Sequence, residues 1–253
     1  MTFQVRLDYI YIKNMVEPPS EMMLKLLFDS ILDFIFIYEC EICHRHLENK
    51  KTIICLDCLH KIEKVEPIDM KQSFNLKFGN HGYITKAFSC FHFKEESIVQ
   101  MLIHELKYQN KRTIGILLGE IVGNAIKYDP DFTSADALIP VPLHKIRLRE
   151  RGYNQSELIA QGISKITGIR VINDMLIRRK NTQTQTKLNL EQRKENVKDA
   201  FMINKKYKSF IVGKKFIIVD DVITTGSTIT ECAKELISSG ASQALVLSVA
   251  VAS

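Results

Sequence analysis

The chain has 253 residues, of which 45 % are hydrophobic and 25 % are charged, and its formal net charge is +6. These proportions are ordinary for a soluble globular protein, and the length allows one domain plus a smaller appendage. The positive charge is unevenly placed, because residues 140–215 contain 18 Lys or Arg against 6 Asp or Glu. Such asymmetry indicates an anionic partner, either a phosphate compound or nucleic acid, or else a solvated basic surface.

Residues 1–35 are predicted to be an N-terminal extension with an amphipathic helix. The apolar run from Met22 to Tyr38 contains Lys25, Asp29 and Asp33, which argues against a membrane span. The first 20 residues carry scattered charges and have no apolar core of the kind found in a secretory signal. We therefore expect a cytoplasmic protein.

Four of the six cysteines form two C-x-x-C pairs in a predicted module of residues 36–64. The pairs are Cys40 with Cys43 and Cys55 with Cys58, with eleven residues between them. This pattern predicts a closed, tetrahedral zinc site, which would be structural and would fold a stretch with little apolar content. Redox-active or unpaired thiols are the alternative, and three nearby histidines could substitute as ligands: His44, His46 and His60.

A polar, irregular linker is predicted over residues 65–82, followed by a larger domain over residues 83–253. This domain begins with a strand pair around residues 83–93. Apolar residues at helical spacing then predict a helix from Glu95 to Tyr108, and a second helix follows from Thr113 to Lys127.

The next buried strand is Ala137–Pro142, and it leads into a basic segment. Asn154 is suited to cap the helix that follows, from Gln155 to Lys165. A positive loop after a parallel strand would lie at the same sheet edge as the carboxyl ends of the neighbouring strands, although exposed, solvated arginines are the alternative. The predicted loop residues are His144, Lys145, Arg147, Arg149 and Arg151.

The stretch from Gly168 to Arg178 offers a further strand, at residues 171–172 and then 175–177. The polar segment from Arg179 to Leu190 has almost no apolar content. A long polar segment between core elements is a candidate lid. Helical character returns from Gln192 to Phe201, and Gln243–Val251 reads as another covered strand.

The most informative stretch runs from Lys214 to Thr228. Its apolar residues 216–219 predict a strand covered on both faces, and Asp220 and Asp221 stand at the carboxyl end, where open α/β sheets bind ligands. A hydroxyl-rich loop then leads into a helix that ends at Gly240. A helix N-terminus with hydroxyls and a glycine is suited to hold phosphate. The loop residues are Thr224, Thr225, Gly226, Ser227 and Thr228.

This stretch resembles the ribose-phosphate loop of the type I phosphoribosyltransferases. The resemblance implies an α/β fold with a mainly parallel sheet flanked by helices. It implies that Asp220 and Asp221 contact the ribose hydroxyls of phosphoribosyl pyrophosphate (PRPP) as the catalytic acids, and that residues 224–228 hold its 5-phosphate. It also implies that the basic loop of residues 144–151 holds pyrophosphate with Mg²⁺, and that a flexible hood closes over the ligand.

Several runs together resemble the bacterial ComF family of competence proteins, of the ComFC type, over roughly residues 36–253. They include the two C-x-x-C pairs, residues 139–144 (IPVPLH), residues 151–155 (RGYNQ) and residues 219–228. The resemblance implies a role in natural transformation, with single-stranded DNA and other competence proteins, including a helicase, as partners. This chain has one cysteine cluster where some family members have two, so a second zinc is not predicted.

Three functions stay open from the residues. The first is transfer of a phosphoribosyl group from PRPP, in which positioning and electrostatics would supply the catalysis. The second is a non-catalytic module that grips single-stranded DNA through its basic segments and Tyr153. The third is a PRPP sensor that acts through protein partners.

Overall fold

A computed structural model describes residues 38–47, 52–79, 82–179 and 197–252. The chain divides into two compact units, Met1–Ile53 and Ile54–Ser253. The predicted amphipathic helix lies outside the described residues, as do nearly all of the predicted lid and half of the segment after it. Among the described helices, none is long and apolar enough to cross a membrane. The domain boundaries given above stay predictions.

In the first unit, the described residues form a tight turn around the first C-x-x-C pair. Glu39 and His46 form an antiparallel bridge, and the Cys40 N–H donates to the Arg45 carbonyl at 2.9 Å. The chain reverses through His44, whose φ of 55° lies in the left-handed region. The turn therefore has the compact form that a metal-binding knuckle requires.

The second unit is built on a four-stranded parallel sheet in the order β1-β6-β5-β2. Both faces of β5 and β6 are buried, as expected for a parallel sheet between helical layers, so the predicted α/β architecture is confirmed. One strand replaces the predicted pair at residues 83–93, because β1 pairs with the distant β6. The strands are β1 Lys86–Phe93, β2 Ala137–Pro140, β5 Lys215–Ile223 and β6 Gln243–Ala252.

The helices cover both faces of this sheet. A short antiparallel pair, β3 (Leu176–Arg178) and β4 (Phe201–Ile203), lies beside α9 and completes the core on that face. The helices are α1 Leu56–His60, α2 Pro67–Phe78, α3 Ile98–Tyr108, α4 Arg112–Ile126, α5 Pro130–Thr133, α6 Lys145–Arg151, α7 Gln155–Thr167, α8 Lys208–Ile211 and α9 Ser227–Ser238.

Helix α2 occupies the stretch that the sequence predicts to be an irregular linker. Pro67 occupies its first turn, where a missing N–H costs nothing, and Met70 and Phe78 are buried in the core of the sheet domain. The remaining residues of α2 are mostly polar, so the helix has a weak amphipathic pattern. Its stability comes from two tertiary anchors rather than from a continuous apolar face.

Helices α4 and α7 pack closely because glycines face each other at their crossing. A Cβ on Gly119 would lie 2.1 Å from the Ile159 carbonyl oxygen, and a Cβ on Gly162 would lie 2.2 Å from the Ile116 carbonyl oxygen. Neither contact is sterically possible, since real Cβ atoms do not approach backbone oxygens below 3.0 Å. These glycines set the distance of α7, and hence the position of the residues at its N-terminus.

We expect Gly162→Ala to lower the free energy of unfolding by about 1–3 kcal/mol, because overpacking must move one backbone away from the other. This loss should exceed the gain of up to about 1 kcal/mol that alanine brings to a helix interior. Urea unfolding measures the difference. Asn124→Ala, at an exposed position of α4, is the control and should change stability by less than about 0.5 kcal/mol. An alanine variant at 162 as stable as the parent would contradict the packing argument.

Candidate functional site

A cleft of 340 Å³ opens at the carboxyl ends of the parallel strands. Residues from the ends of β1, β2 and β5 line it, together with the C-terminus of α3 and the N-termini of α7 and α9. It brings together the predicted acids, the whole predicted phosphate loop and two of the predicted basic residues. These are Asp220, Asp221, Thr224, Thr225, Gly226, Ser227, Thr228, Arg147 and Arg151.

The two acids occupy different environments although they are adjacent in β5. Asp221 is 8 % exposed and its Oδ2 lies 2.7 Å from Lys107 Nζ, at the end of α3. Asp220 Oδ1 accepts hydrogen bonds from the Ser156 hydroxyl at 3.0 Å and from the Asp221 N–H at 2.9 Å. Each carboxylate is therefore held by a group from a different part of the chain.

Burial raises the pKa of Asp220 to about 7, and the neighbouring charge of Asp221 adds to the rise. Lys107 opposes this rise, as do the hydrogen bonds from the Asp221 N–H and the Ser156 hydroxyl. Asp220 therefore changes its protonation near neutral pH. A cation or several hydroxyl donors at this carboxylate would favour its ionised form.

The predicted phosphate loop leads directly into α9. Gly226 is the N-cap of α9 with a φ of 77° and has no side chain to cap the helix, and the Ser227 N–H donates to the Thr225 hydroxyl at 3.4 Å. Thr225 Oγ1 and Ser227 Oγ lie 3.0 Å apart at the same turn. A Cβ at position 226 would lie 2.7 Å from the Phe78 ring of α2. Glycine is thus required both by the backbone conformation and by the close ring.

The predicted basic loop is the helix α6, and this changes which side chains reach the cleft. Arg147 and Arg151 are four residues apart on one helical face and line the cleft. His144, Lys145 and Arg149 are not among the described residues that line it. The sequence predicts a loop, in which all five basic residues would lie at the same edge of the sheet. The helix α6 instead separates them onto two faces.

Three polar residues of the cleft were not predicted as site residues. They are Lys107, which lies within the helix predicted from Glu95 to Tyr108, Gln155, which is the first residue of a later predicted helix, and Arg178, at the end of the stretch with a further predicted strand. Burial lowers the pKa of Arg178, with partial compensation from the charge of Asp220. Of the three, Gln155 lies in the RGYNQ motif at residues 151–155, and that motif does not state a role.

The four predicted metal ligands come together. The sulfur atoms of Cys40, Cys43, Cys55 and Cys58 all lie within 4.8 Å of one another. Tetrahedral Zn–S bonds of about 2.3 Å would place sulfurs about 3.8 Å apart, so the cluster is compatible with structural zinc. No disulfide joins any two of the described cysteines.

Curated relatives match about half of the chain or somewhat less. Competence protein F of Haemophilus influenzae is 38 % identical over 142 residues, which are 54 % of this chain and 61 % of that protein. The DNA utilization protein YhgH of Escherichia coli O6:H1 is 35 % identical over 143 residues, 55 % of this chain and 61 % of that protein. Competence protein ComFC of Bacillus subtilis is 31 % identical over 103 residues, 41 % of this chain and 39 % of that protein.

The chain is thus similar to ComF-type competence proteins, and the resemblance inferred from the sequence motifs is confirmed. The chain spans about three fifths of the length of the first relatives it matches. No protein-family model matches it.

Two solved structures are similar to this chain at 19 % identity. One is described as the allosteric regulatory enzyme of purine biosynthesis, with a TM-score of 0.37 over 57 % of this chain and 29 % of that one. The other is a glutamine PRPP amidotransferase from B. subtilis, with a TM-score of 0.38 over 56 % and 30 %.

We expect the protein to contain one zinc ion per chain and Cys58→Ser to lose it, because a buried thiolate ligand is replaced by a weak one. Metal analysis by mass spectrometry measures the zinc content. Cys90→Ala is the control, since Cys90 lies in β1 and outside the cluster, and it should retain the zinc. Equal zinc in both variants would contradict the four-cysteine site.

We expect Asp220→Asn to become more stable than the parent as pH rises from about 4 to about 7. The raised pKa means that the folded parent binds a proton that the unfolded chain has already lost, so the parent's stability falls over this range. Urea unfolding at several pH values measures the difference.

Asp136→Asn is the control with the opposite sign. A hydrogen bond from the Lys215 N–H at 2.9 Å, together with the Lys214 ammonium, lowers the pKa of Asp136. The stability that this carboxylate contributes is present at neutral pH and lost as pH falls. The asparagine variant should therefore have a lower free energy of unfolding than the parent at pH 7. If the difference in free energy of unfolding between the parent and Asp220→Asn does not change with pH, the raised pKa of Asp220 is contradicted.

Proposed function

We propose that this chain is a competence-associated protein whose cleft binds PRPP. The observation that carries the proposal is the meeting of three groups in one cleft: a helix N-terminus with hydroxyls, a pair of carboxylates and a set of cationic side chains. PRPP has a phosphate at one end, ribose hydroxyls in the middle and a diphosphate at the other end. The cleft therefore contains a group suited to each part of this ligand.

The phosphate end would bind at the N-terminus of α9. Gly226 leaves the backbone accessible there, and Thr225 and Ser227 supply hydroxyl donors. Backbone N–H groups and the helix dipole favour a dianion at this position.

The ribose would lie over Asp220 and Asp221, whose carboxylates can accept hydrogen bonds from its hydroxyls. Lys107 neutralises part of the charge on Asp221, so that two adjacent acids are tolerated in a buried place. Arg147 and Arg151 would face the diphosphate. The carboxylate oxygens also suit Mg²⁺, which would offset the charge of the diphosphate.

Transfer of the phosphoribosyl group would need little covalent chemistry from the protein. Positive charge would grow on the ribose as the bond to the diphosphate breaks, and the two carboxylates would stabilise it. The arginines would stabilise the negative charge that accumulates on the departing diphosphate. Asp220 and Asp221 are therefore the proposed catalytic residues, acting by electrostatics rather than as nucleophiles.

The names of the relatives support the cellular setting of this proposal. Competence protein F and ComFC are named for competence, and YhgH is named for DNA utilization. We extend these to the present chain as a role in handling incoming single-stranded DNA, together with other competence proteins.

A DNA-binding module without PRPP turnover is the second candidate, and α6 favours it. Lys145 and Arg149 are exposed on the helix face away from the cleft, and Ile146 and Leu148 are 45 % and 42 % exposed beside them. Basic side chains interleaved with apolar ones suit contact with the backbone and bases of a single strand.

Calorimetric titration with PRPP and Mg²⁺ tests the first candidate. Asp220→Asn combined with Asp221→Asn should weaken binding by at least about 100-fold, since each hydrogen bond to a charged group contributes about 1.5–3 kcal/mol. Glu95→Gln combined with Glu96→Gln is the matched control, because it removes two adjacent, exposed carboxylates outside the cleft. Equal affinity of both double variants would remove PRPP as the ligand of these acids.

The α6 arginines separate the two candidates. Arg151→Ala should weaken PRPP binding by at least about 10-fold and Arg149→Ala should leave it unchanged. If α6 also grips DNA, Arg149→Ala should weaken single-strand binding and reduce its salt dependence. Release of pyrophosphate from PRPP over time, followed by ³¹P NMR, distinguishes turnover from binding alone.

A further inference from the structure

The side chain of Gln155 has a buried donor that the protein itself does not use. Gln155 is the first residue of α7, is 2 % exposed and lines the cleft. Its Nε2 is buried and has no hydrogen-bond partner within the described ranges, 38–47, 52–79, 82–179 and 197–252. Burying an amide N–H without an acceptor costs about 1–3 kcal/mol, so the position needs an explanation other than packing.

Arg151 fixes which way this amide faces. The Arg151 guanidinium Nη1 donates to Gln155 Oε1 at 2.9 Å, and a guanidinium can only donate. The opposite orientation of the amide would place donor against donor. The Oε1 atom is therefore directed at Arg151, and Nε2 is the atom that still requires an acceptor.

The missing acceptor is not supplied by the neighbouring polar groups. Asp220 Oδ1 accepts from Ser156 and from the Asp221 N–H, and the Val141 carbonyl accepts from the Asn154 side chain at 3.0 Å. The remaining source is an acceptor from outside the protein, an ordered water or a ligand, and the charges around Gln155 indicate the sign of a ligand that would bind there.

The surroundings of Gln155 favour an anionic acceptor. Arg147 and Arg151 line the same part of the cleft, and Gln155 stands at the N-terminus of the 13-residue helix α7, where the dipole is positive. Arg151 is itself held in place, because its guanidinium also lies 5.3 Å from the centre of the Tyr108 ring. The side chains of Gln155 and Arg151 are thus both held in place, and both present hydrogen-bond donors to the cleft.

This place differs from the phosphate loop. It lies beside β2 at the start of α7, whereas the phosphate loop follows β5 at the start of α9. The two helix N-termini stand at neighbouring strands of one sheet, since β2 pairs directly with β5. A ligand with an anionic group at each end could contact both.

We propose that the Gln155 side-chain amide donates to a diphosphate group, and that Gln155 and Arg151 together select this group at the α7 end of the cleft. Where the diphosphate group is that of PRPP, this inference rests on the proposed function. It adds Gln155 to the ligand-binding residues that were predicted from the basic residues of α6. Gln155 would bind the ligand directly, and Arg151 would hold the Gln155 amide in the required orientation.

Titration with two probes tests the proposal, namely inorganic pyrophosphate and ribose 5-phosphate, each with Mg²⁺. Gln155→Met keeps the approximate volume and removes the donor, and it should weaken pyrophosphate binding about 10- to 100-fold. It should leave ribose 5-phosphate binding unchanged, because that compound would use the acids and the phosphate loop. PRPP binding should weaken by the same factor as pyrophosphate binding.

Two further variants test whether the loss of binding is caused by the loss of the Gln155 donor. Gln155→Glu keeps the acceptor for Arg151 and replaces the donor by a carboxylate, so it should weaken pyrophosphate binding at least as much. Gln161→Met, at an exposed position of the same helix, is the control and should bind both probes like the parent. Urea unfolding of each variant verifies that the fold is retained.

The outcomes separate the two proposals. Pyrophosphate binding that is unaffected by both Gln155 variants, or absent in the parent, would overturn the inference. Equal weakening of ribose 5-phosphate and pyrophosphate would overturn it too, because it would mean a general change of the cleft. If the parent binds pyrophosphate through Gln155 but binds neither PRPP nor ribose 5-phosphate, the inference stands and the proposed function fails.

Discussion

The parallel pairing of β5 with β2 and β6 is the constraint on which the cleft depends. It places the carboxyl ends of the strands at one edge, so that Asp220 and Asp221 at the end of β5 meet the residues that follow β2. The helices after β2 and β5 then begin at the same edge and direct their N-termini to it. The Gly119–Gly162 crossing holds α7 at the distance that keeps its N-terminus beside β5.

Charge in this cleft is balanced by residues from distant parts of the chain. Two adjacent carboxylates in a buried place would both resist ionisation, and Lys107, from the end of α3, stabilises the charge on Asp221. Ser156, from the start of α7, stabilises Asp220 in turn. Burial and the neighbouring charge of Asp221 raise the pKa of Asp220 to about 7, so the charge of the cleft can change near neutral pH.

Local sequence predicted the groups that act within one short segment. The strand, acids, hydroxyls and glycine from Lys214 to Thr228 needed no distant partner to be interpreted, and the two C-x-x-C pairs predicted their cluster from spacing alone. The basic segment was predicted less well, because the alternation of arginines suggested a loop. In the helix α6 the same alternation divides them, and Arg149 is turned away from Arg147 and Arg151.

The sequence by itself determined the fold class and the cysteines that cluster, and it predicted the acids and the hydroxyl-rich loop that meet in the cleft, because each depends on residues close together in the chain. The tertiary structure decided which charges meet. Lys107 lies beside Asp221, and Phe78 of helix α2 is buried in the core of the sheet domain. Nε2 of Gln155 is buried without an acceptor within the described residues. Such pairings depend on how helices and strands cross, and no local pattern encodes the distance between them.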